Sequence, residues 1–170
     1  MQAEGIDPEN TAAVTGFHVR KWRRFYAECR RVIEARHPGA VIYFNGTTDP
    51  HDVHRLYDDN TQQDLEDLPT TWGGYNRFPL RVRFFARESK PIVAMSGKFH
   101  TSWGEFGGFK SPEALRYEAA SMIAFGSRCN FGDQMHPYGL MDMTTYENIG
   151  HAFSYVERIE ALGIGGRPVA

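Results

Sequence analysis

Residues 97–108, GKFHTSWGEFGG, place a lysine, a histidine, a tryptophan, a glutamate and four glycines in twelve positions. An indole ring suits the apolar face of a sugar, while imidazole, ammonium and carboxylate groups suit its rim of hydroxyls. The glycines permit tight turns and close approach of the backbone to a ligand. His100, Trp103 and Glu105 are therefore candidate site residues, set against a plain structural lid with Trp103 buried beneath it. Glu66 stands before Trp72 and Tyr75 in DLEDLPTTWGGY. An acid beside aromatic rings is how a carboxyl group is kept protonated for donation. The competing reading is a solvated Glu66 with Trp72 packed under a loop. In GDQMHP, Asp133, Gln134 and His136 cluster in the same way, or form a turn in which Asp133 caps backbone amides. NGTTDPHDVH holds Asn45, Asp49, His51 and His54. His51 and His54 could share a metal only on a helix, and no third ligand stands at a diagnostic spacing. Loop capping by Asn45 and Asp49 is the stronger reading, and no metal or cofactor is expected. A metal-dependent hydrolase built on His51, His54, Asp133 or His136 remains a minor alternative. Glycoside hydrolysis needs two carboxyl groups, and Glu66, Glu105 and Asp133 are the candidates.

These residues need elements to hold them. Apolar spacing predicts a helix over residues 17–36, ended by HPG. AVIYF, residues 40–44, reads as a strand buried on both faces. A short strand is expected near residues 64–68, and a helix over residues 78–89 with Pro79 in its first turn. PIVAM, residues 91–95, is the next strand. Ser111 and Pro112 start a helix that runs to about Phe125 and stops at Gly126. RCNFG is a further strand, and Asp142 caps a last helix reaching about Leu162. Alternating strands and helices imply parallel βα units. The connections from helix to strand are short (HPG, K, GS), whereas those from strand to helix are long and hold every unusual residue. Barrels of the (β/α)8 type build their active sites in such loops. A full barrel needs about 250 residues and eight units. Four units in 170 residues amount to half of one.

Net charge is −2, with 24% charged and 41% apolar residues. That balance argues against a general grip on nucleic acid. The basic run at residues 20–31 carries aromatics at helical spacing and reads as a solvated helix face. No apolar run is long enough to cross a membrane, and the first ten residues lack a leader's apolar core, so a cytoplasmic location is expected. Cys29 and Cys129 lie on different elements and read as buried thiols. Aromatic residues make up 14% of the chain and many lie in polar loops, where they tend to line a site.

Three segments together resemble a known group: DLEDLPTTWGGYNRFP, MSGKFHTSWGEFGGFKSPEALRYEA and GDQMHPYGLMDMTTYENIG. They are similar to glycoside hydrolases related to α-L-fucosidases. The nearest are the family 151-like set and the hypothetical glycosyl hydrolases that often carry a β-galactosidase-type trimerisation domain. The resemblance spans about residues 1–160. It implies a (β/α)8 barrel of the TIM type and a retaining mechanism on an exo-linked sugar such as α-L-fucose. It carries over to Glu66, Trp72, His100, Trp103, Glu105, Asp133 and His136, with Glu66 the first choice for the acid and Glu105 the next. Asn45 joins the substrate-binding candidates. The family's nucleophilic Asp lies in the first half of the barrel, and MQAEGIDPEN resembles the segment after it. The expectation is therefore the C-terminal half of a catalytic barrel over residues 1–162, a tail over 163–170, and a nucleophile outside this chain. Carbohydrate is the expected partner. Open sheet edges make a homo-oligomer the second expectation, and a non-catalytic, sugar-binding or self-associating half-barrel the alternative function.

Overall fold

The computed structural model describes residues 4–163 and Gly166. The chain divides into two compact units, Met1–Gln63 and Asp64–Ala170. The first is led by helix α1, Thr11–Arg36. It starts six residues before the expected helix because the Asn10 side chain accepts a hydrogen bond from the Ala13 N–H at 3.0 Å. His37 closes it, its N–H donating to Ile33 O.

Residues 40–44 are not a strand, contrary to expectation. Their backbone finds side chains instead of a neighbouring ladder. Ile42 N–H donates to Thr61 Oγ1 at 2.6 Å, Phe44 N–H donates to Asn60 Oδ1 at 3.0 Å, and Ile42 O accepts from Thr61 N–H. The apolar side chains pack all the same: Ile42 is buried and the Phe44 ring stacks on Tyr26 at 3.9 Å. Below them, buried Asn60 donates to Thr47 Oγ1 and Gln63 Oε1, and Gln63 donates to Tyr57 O. This network satisfies the polar groups that burial would otherwise penalise.

The second unit is a three-stranded sheet with helices between the strands. Its order is β1 (Gln63–Glu66), β2 (Ile92–Gly97), β3 (Arg128–Gly132), and β2 runs parallel to β3. Helices α2 (Gly74–Phe85), α3 (Pro112–Ala124) and α4 (Met143–Gly163) follow the three strands in turn. This is an α/β fold with three strand–helix units among the described residues, one fewer than the four expected. α4 ends one residue past the expected boundary, and apart from Gly163 and Gly166 the expected tail lies outside the described residues.

Ser111 caps α3 through the Ala114 N–H, with Pro112 as its first residue. α2 departs from expectation. It starts at Gly74, so Pro79 lies in its second turn and removes one helical hydrogen bond. Burial of Phe78, Val82 and Phe85 keeps the segment helical despite that loss.

The sheet has two unlike faces. Ala94 pairs in register with Cys129 and Ser96 with Phe131, and these four point toward the helices. Leu115, Ala119, Ile149, Ala152 and Val156 form the core there, with Ile123, Cys129 and Phe131 against it. Both cysteines are free and half-buried. Burial, with help from the Glu118 charge, pushes the Cys129 thiol up to about 12, so it is an inert thiol. None of the described helices is long and apolar enough to cross a membrane.

One polar contact ties β2 to α3. Lys110 Nζ donates to Ser96 Oγ and to Glu118 Oε2, both at 2.8 Å, and all three residues are buried. Breaking one partner of a buried pair strands the other charge, at a cost of about 3–5 kcal/mol. Glu118→Ala is therefore expected to lower the urea midpoint sharply. The double change Lys110→Met, Glu118→Leu should recover most of the loss.

Candidate functional site

Side chains alternate along a strand, so the residues between the helix-facing ones look the other way. On β2 and β3 these are Val93, Met95 and Gly97, and Arg128, Asn130 and Gly132. On β1, Leu65 is fully buried while Asp64 and Glu66 are half-buried, which places Glu66 on the face away from the core. No hydrogen bond to the Glu66 carboxylate exists among the described residues, although its backbone O accepts from Arg81 at 2.8 Å.

At the end of that face lies Trp103. A Cβ on Gly132 would come within 2.4 Å of the indole, and one on Gly97 within 3.2 Å. The two glycines are register partners, so the ring rests across the ends of β2 and β3 where only hydrogen leaves room. Phe99 packs edge-on against it at 5.0 Å. The indole Nε1–H is buried and has no acceptor among the described residues. Trp103 is partly exposed, so the lid reading and the site reading meet in one ring: packed on one side and open on another.

The loop bearing Trp103 is held by Glu105. Its Oε2 accepts from the Thr101 N–H at 2.6 Å and the His100 N–H at 2.9 Å. The carboxyl folds so close to Gly108 that a Cβ there would stand 2.2 Å from it. Backbone donation from Thr101, then from the other donors, holds the Glu105 carboxyl below the usual carboxylate range. It is an ionised acceptor that orders the loop. Thr71 Oγ1 donates to Thr101 O, which joins this loop to the one carrying half-buried Trp72. His100 is exposed.

Asp133 and His136 are both half-buried and both serve their own turn. Asp133 Oδ1 accepts from Gln134 N–H at 2.7 Å, and His136 Nδ1 accepts from Tyr138 N–H at 3.2 Å. Glu66 is the last residue of β1, and Trp72, His100, Trp103, Glu105, Asp133 and His136 lie on the loops that follow β1, β2 and β3, all in the second unit. Asn45 is exposed in the first unit. His51 and His54 are in loop turns, with their N–H groups on Asp49 and Asp52, and no group of three metal-ligating side chains gathers among the described residues.

Sequence reasoning missed Asp67. It is buried one residue past β1, with Arg81 Nη1 at 2.7 Å and Arg77 Nη1 at 3.1 Å. Burial pushes its carboxyl up and the two guanidinium groups pull it back. The pair of ionic contacts clamps α2 beside Glu66. The signal was available as a DLED…RFPLR charge pattern, but nothing in it says which acid turns inward.

Over its full length the chain is similar to one solved structure, with 42% identity and a TM-score of 0.92. That protein is an alpha-L-fucosidase. It is isoenzyme 2 from Paenibacillus thiaminolyticus, and the chain covers 100% of its own length but 26% of the fucosidase. Neither a protein-family model nor a curated protein sequence matches. The likeness supports a glycoside hydrolase related to fucosidases, the group whose motifs the sequence resembles.

Two consequences are measurable. Gly132→Ala should push the indole off its seat, seen as a red-shifted, more quenchable Trp103 emission in a Trp22→Phe, Trp72→Phe background. The Glu105 carboxyl titrates lower when folded than its ordinary 4.5. Its contribution is thus complete above that value and is lost as pH falls through the lowered one. Hydrogen exchange at the His100 and Thr101 amides should quicken over that acidic range, and in Glu105→Ala at any pH.

Proposed function

We propose that this chain is part of a glycoside hydrolase that removes a terminal α-L-fucose, or a closely related sugar, with retention of configuration. The observation that carries the reading is the similarity of the whole chain to one part, 26%, of an alpha-L-fucosidase. The parallel strands are then a portion of a (β/α)8 barrel of the family 151-like type, in its C-terminal half. The nucleophile, and any trimerisation domain, come from outside these residues. The same reading leaves the subunits free to associate and keeps the protein in the cytoplasm.

Glu66 is the general acid in this account. It faces away from the core, its carboxylate is not engaged by other side chains of the described residues, and aromatic rings stand in the adjoining loops. Trp103 offers its ring to the sugar face and its unpaired Nε1–H to a sugar oxygen. Trp72, His100, Asp133 and His136 bind hydroxyl groups. Glu105 acts through the loop it orders rather than by giving up a proton.

The test is a comparison of leaving groups. A fucosyl disaccharide needs a proton on its departing oxygen, whereas a nitrophenyl fucoside does not. Glu66→Gln should lower kcat on the disaccharide by about 10²–10⁴-fold and change the nitrophenyl rate far less. Equal rates on the disaccharide before and after the change would remove Glu66 from the role. Anomer-resolved NMR of the first product should show the α form. Binding of fucose with no cleavage of any fucoside would favour the alternative, a sugar-binding module.

A further inference from the structure

The segment after β2 contains two buried lysines in opposite circumstances. Lys110 is satisfied by Ser96 and Glu118. Lys98 is only 3% exposed, and no carboxylate or other acceptor among the described residues takes a hydrogen bond from its ammonium. Its neighbours are two rings: Nζ lies 5.4 Å from the centre of Phe99 and 4.8 Å from that of Phe109. Ring faces attract a cation, but they bring no counter-charge and no strong acceptor. Enclosing nearly all of a lysine without giving it an anion is costly, and a methionine could fill the same slot without that cost.

The backbone around it is fixed. Lys98 N–H donates to Gly132 O, and Lys98 O accepts from Lys110 N–H, so the residue is held at the junction of β2, β3 and the start of α3. Phe99 touches both Lys98 and Trp103. This one aromatic cluster thus holds the buried Trp103 Nε1–H, which has no acceptor among the described residues, and the Lys98 ammonium, which meets rings but no carboxylate. A ligand that completes it must bring acceptors and a negative charge.

We propose that Lys98 is an anion subsite and that the sugar bound at these strand ends carries a carboxylate or a sulfate ester. The inference rests on the carbohydrate reading above and goes beyond it by naming a charge on the substrate. The ammonium sits against that group, flanked by the buried ring of Phe99 and the more open ring of Phe109.

Binding decides it. Two ligand pairs are titrated into the protein by calorimetry: methyl α-L-fucoside against its sulfate ester, and methyl β-glucoside against methyl β-glucuronide. A charge-assisted hydrogen bond predicts that at least one anionic member binds about ten- to a hundredfold tighter than its neutral partner. The pair that shows the gap tells sulfate from carboxylate. Lys98→Met should close the gap and Lys98→Arg should keep it. In the unsubstituted protein, the Lys98 ammonium ¹⁵N resonance should move with the preferred anionic ligand and stay still with the neutral one. This readout holds even where Lys98→Met folds poorly. Equal binding within both pairs, binding of none of the four, a gap undiminished in a folded Lys98→Met, or a still resonance overturns the subsite. Hydrolysis is read separately. Cleavage of neutral fucosides with no anionic preference removes the subsite alone. A clear preference with no cleavage of any fucoside removes the fucosidase reading alone.

Discussion

Lys110 carries its charge into the contact between β2 and α3, and the loop before it takes its form from how that charge is satisfied. Ser96 is the last but one residue of β2 and Glu118 lies within α3, so the three-way contact closes the base of residues 98–109. Lys110 N–H on Lys98 O pulls the base tighter. With its ends joined, the loop has little entropy left to lose, and short-range contacts suffice to order the rest. Glu105 supplies them by gathering two backbone amides. The buried pair buys no great net stability against an apolar substitute; its effect is to specify where the loop begins and ends.

The same contact separates two kinds of work. Ser96, Cys129 and Phe131 commit one sheet face to the helices, where apolar packing stabilises the unit. The alternate residues are thereby free of packing duty. Gly97 and Gly132 go further and give up their side chains so that an indole can rest against the strand ends. A small sheet thus presents an aromatic ring and an acid, Glu66, on a rigid base. Loop residues carried by a rigid scaffold are where binding and catalysis usually reside.

Asp67 has a comparable role at β1. A buried carboxylate facing two arginines of α2 fixes the short connection that carries Trp72. Ionic contacts in the interior are poor sources of stability but good at selecting one arrangement. In both places a charge is buried at the end of a strand, and in both the loop that follows bears candidate site residues.

Much of this was legible from residue order. Capping pairs such as Ser111 with Pro112 and apolar runs such as IVAM depend on near neighbours, and α3, α4 and the strands β2 and β3 formed where those signals stood. The site loops were legible too, since aromatic and glycine-rich stretches between strand and helix have few other uses. What tertiary structure decided was pairing. Residues 40–44 have a strand's composition, but a strand needs a neighbouring ladder, and Thr61 and Asn60 took up those backbone groups instead. Which lysine is neutralised, which acid turns inward, and that Gly97 and Gly132 lie side by side under Trp103 are likewise facts about partners distant in the chain. Local sequence sets what a segment can become, because propensities and caps act over a few residues. Burial and charge pairing decide what it does, because they depend on what the rest of the fold brings against it.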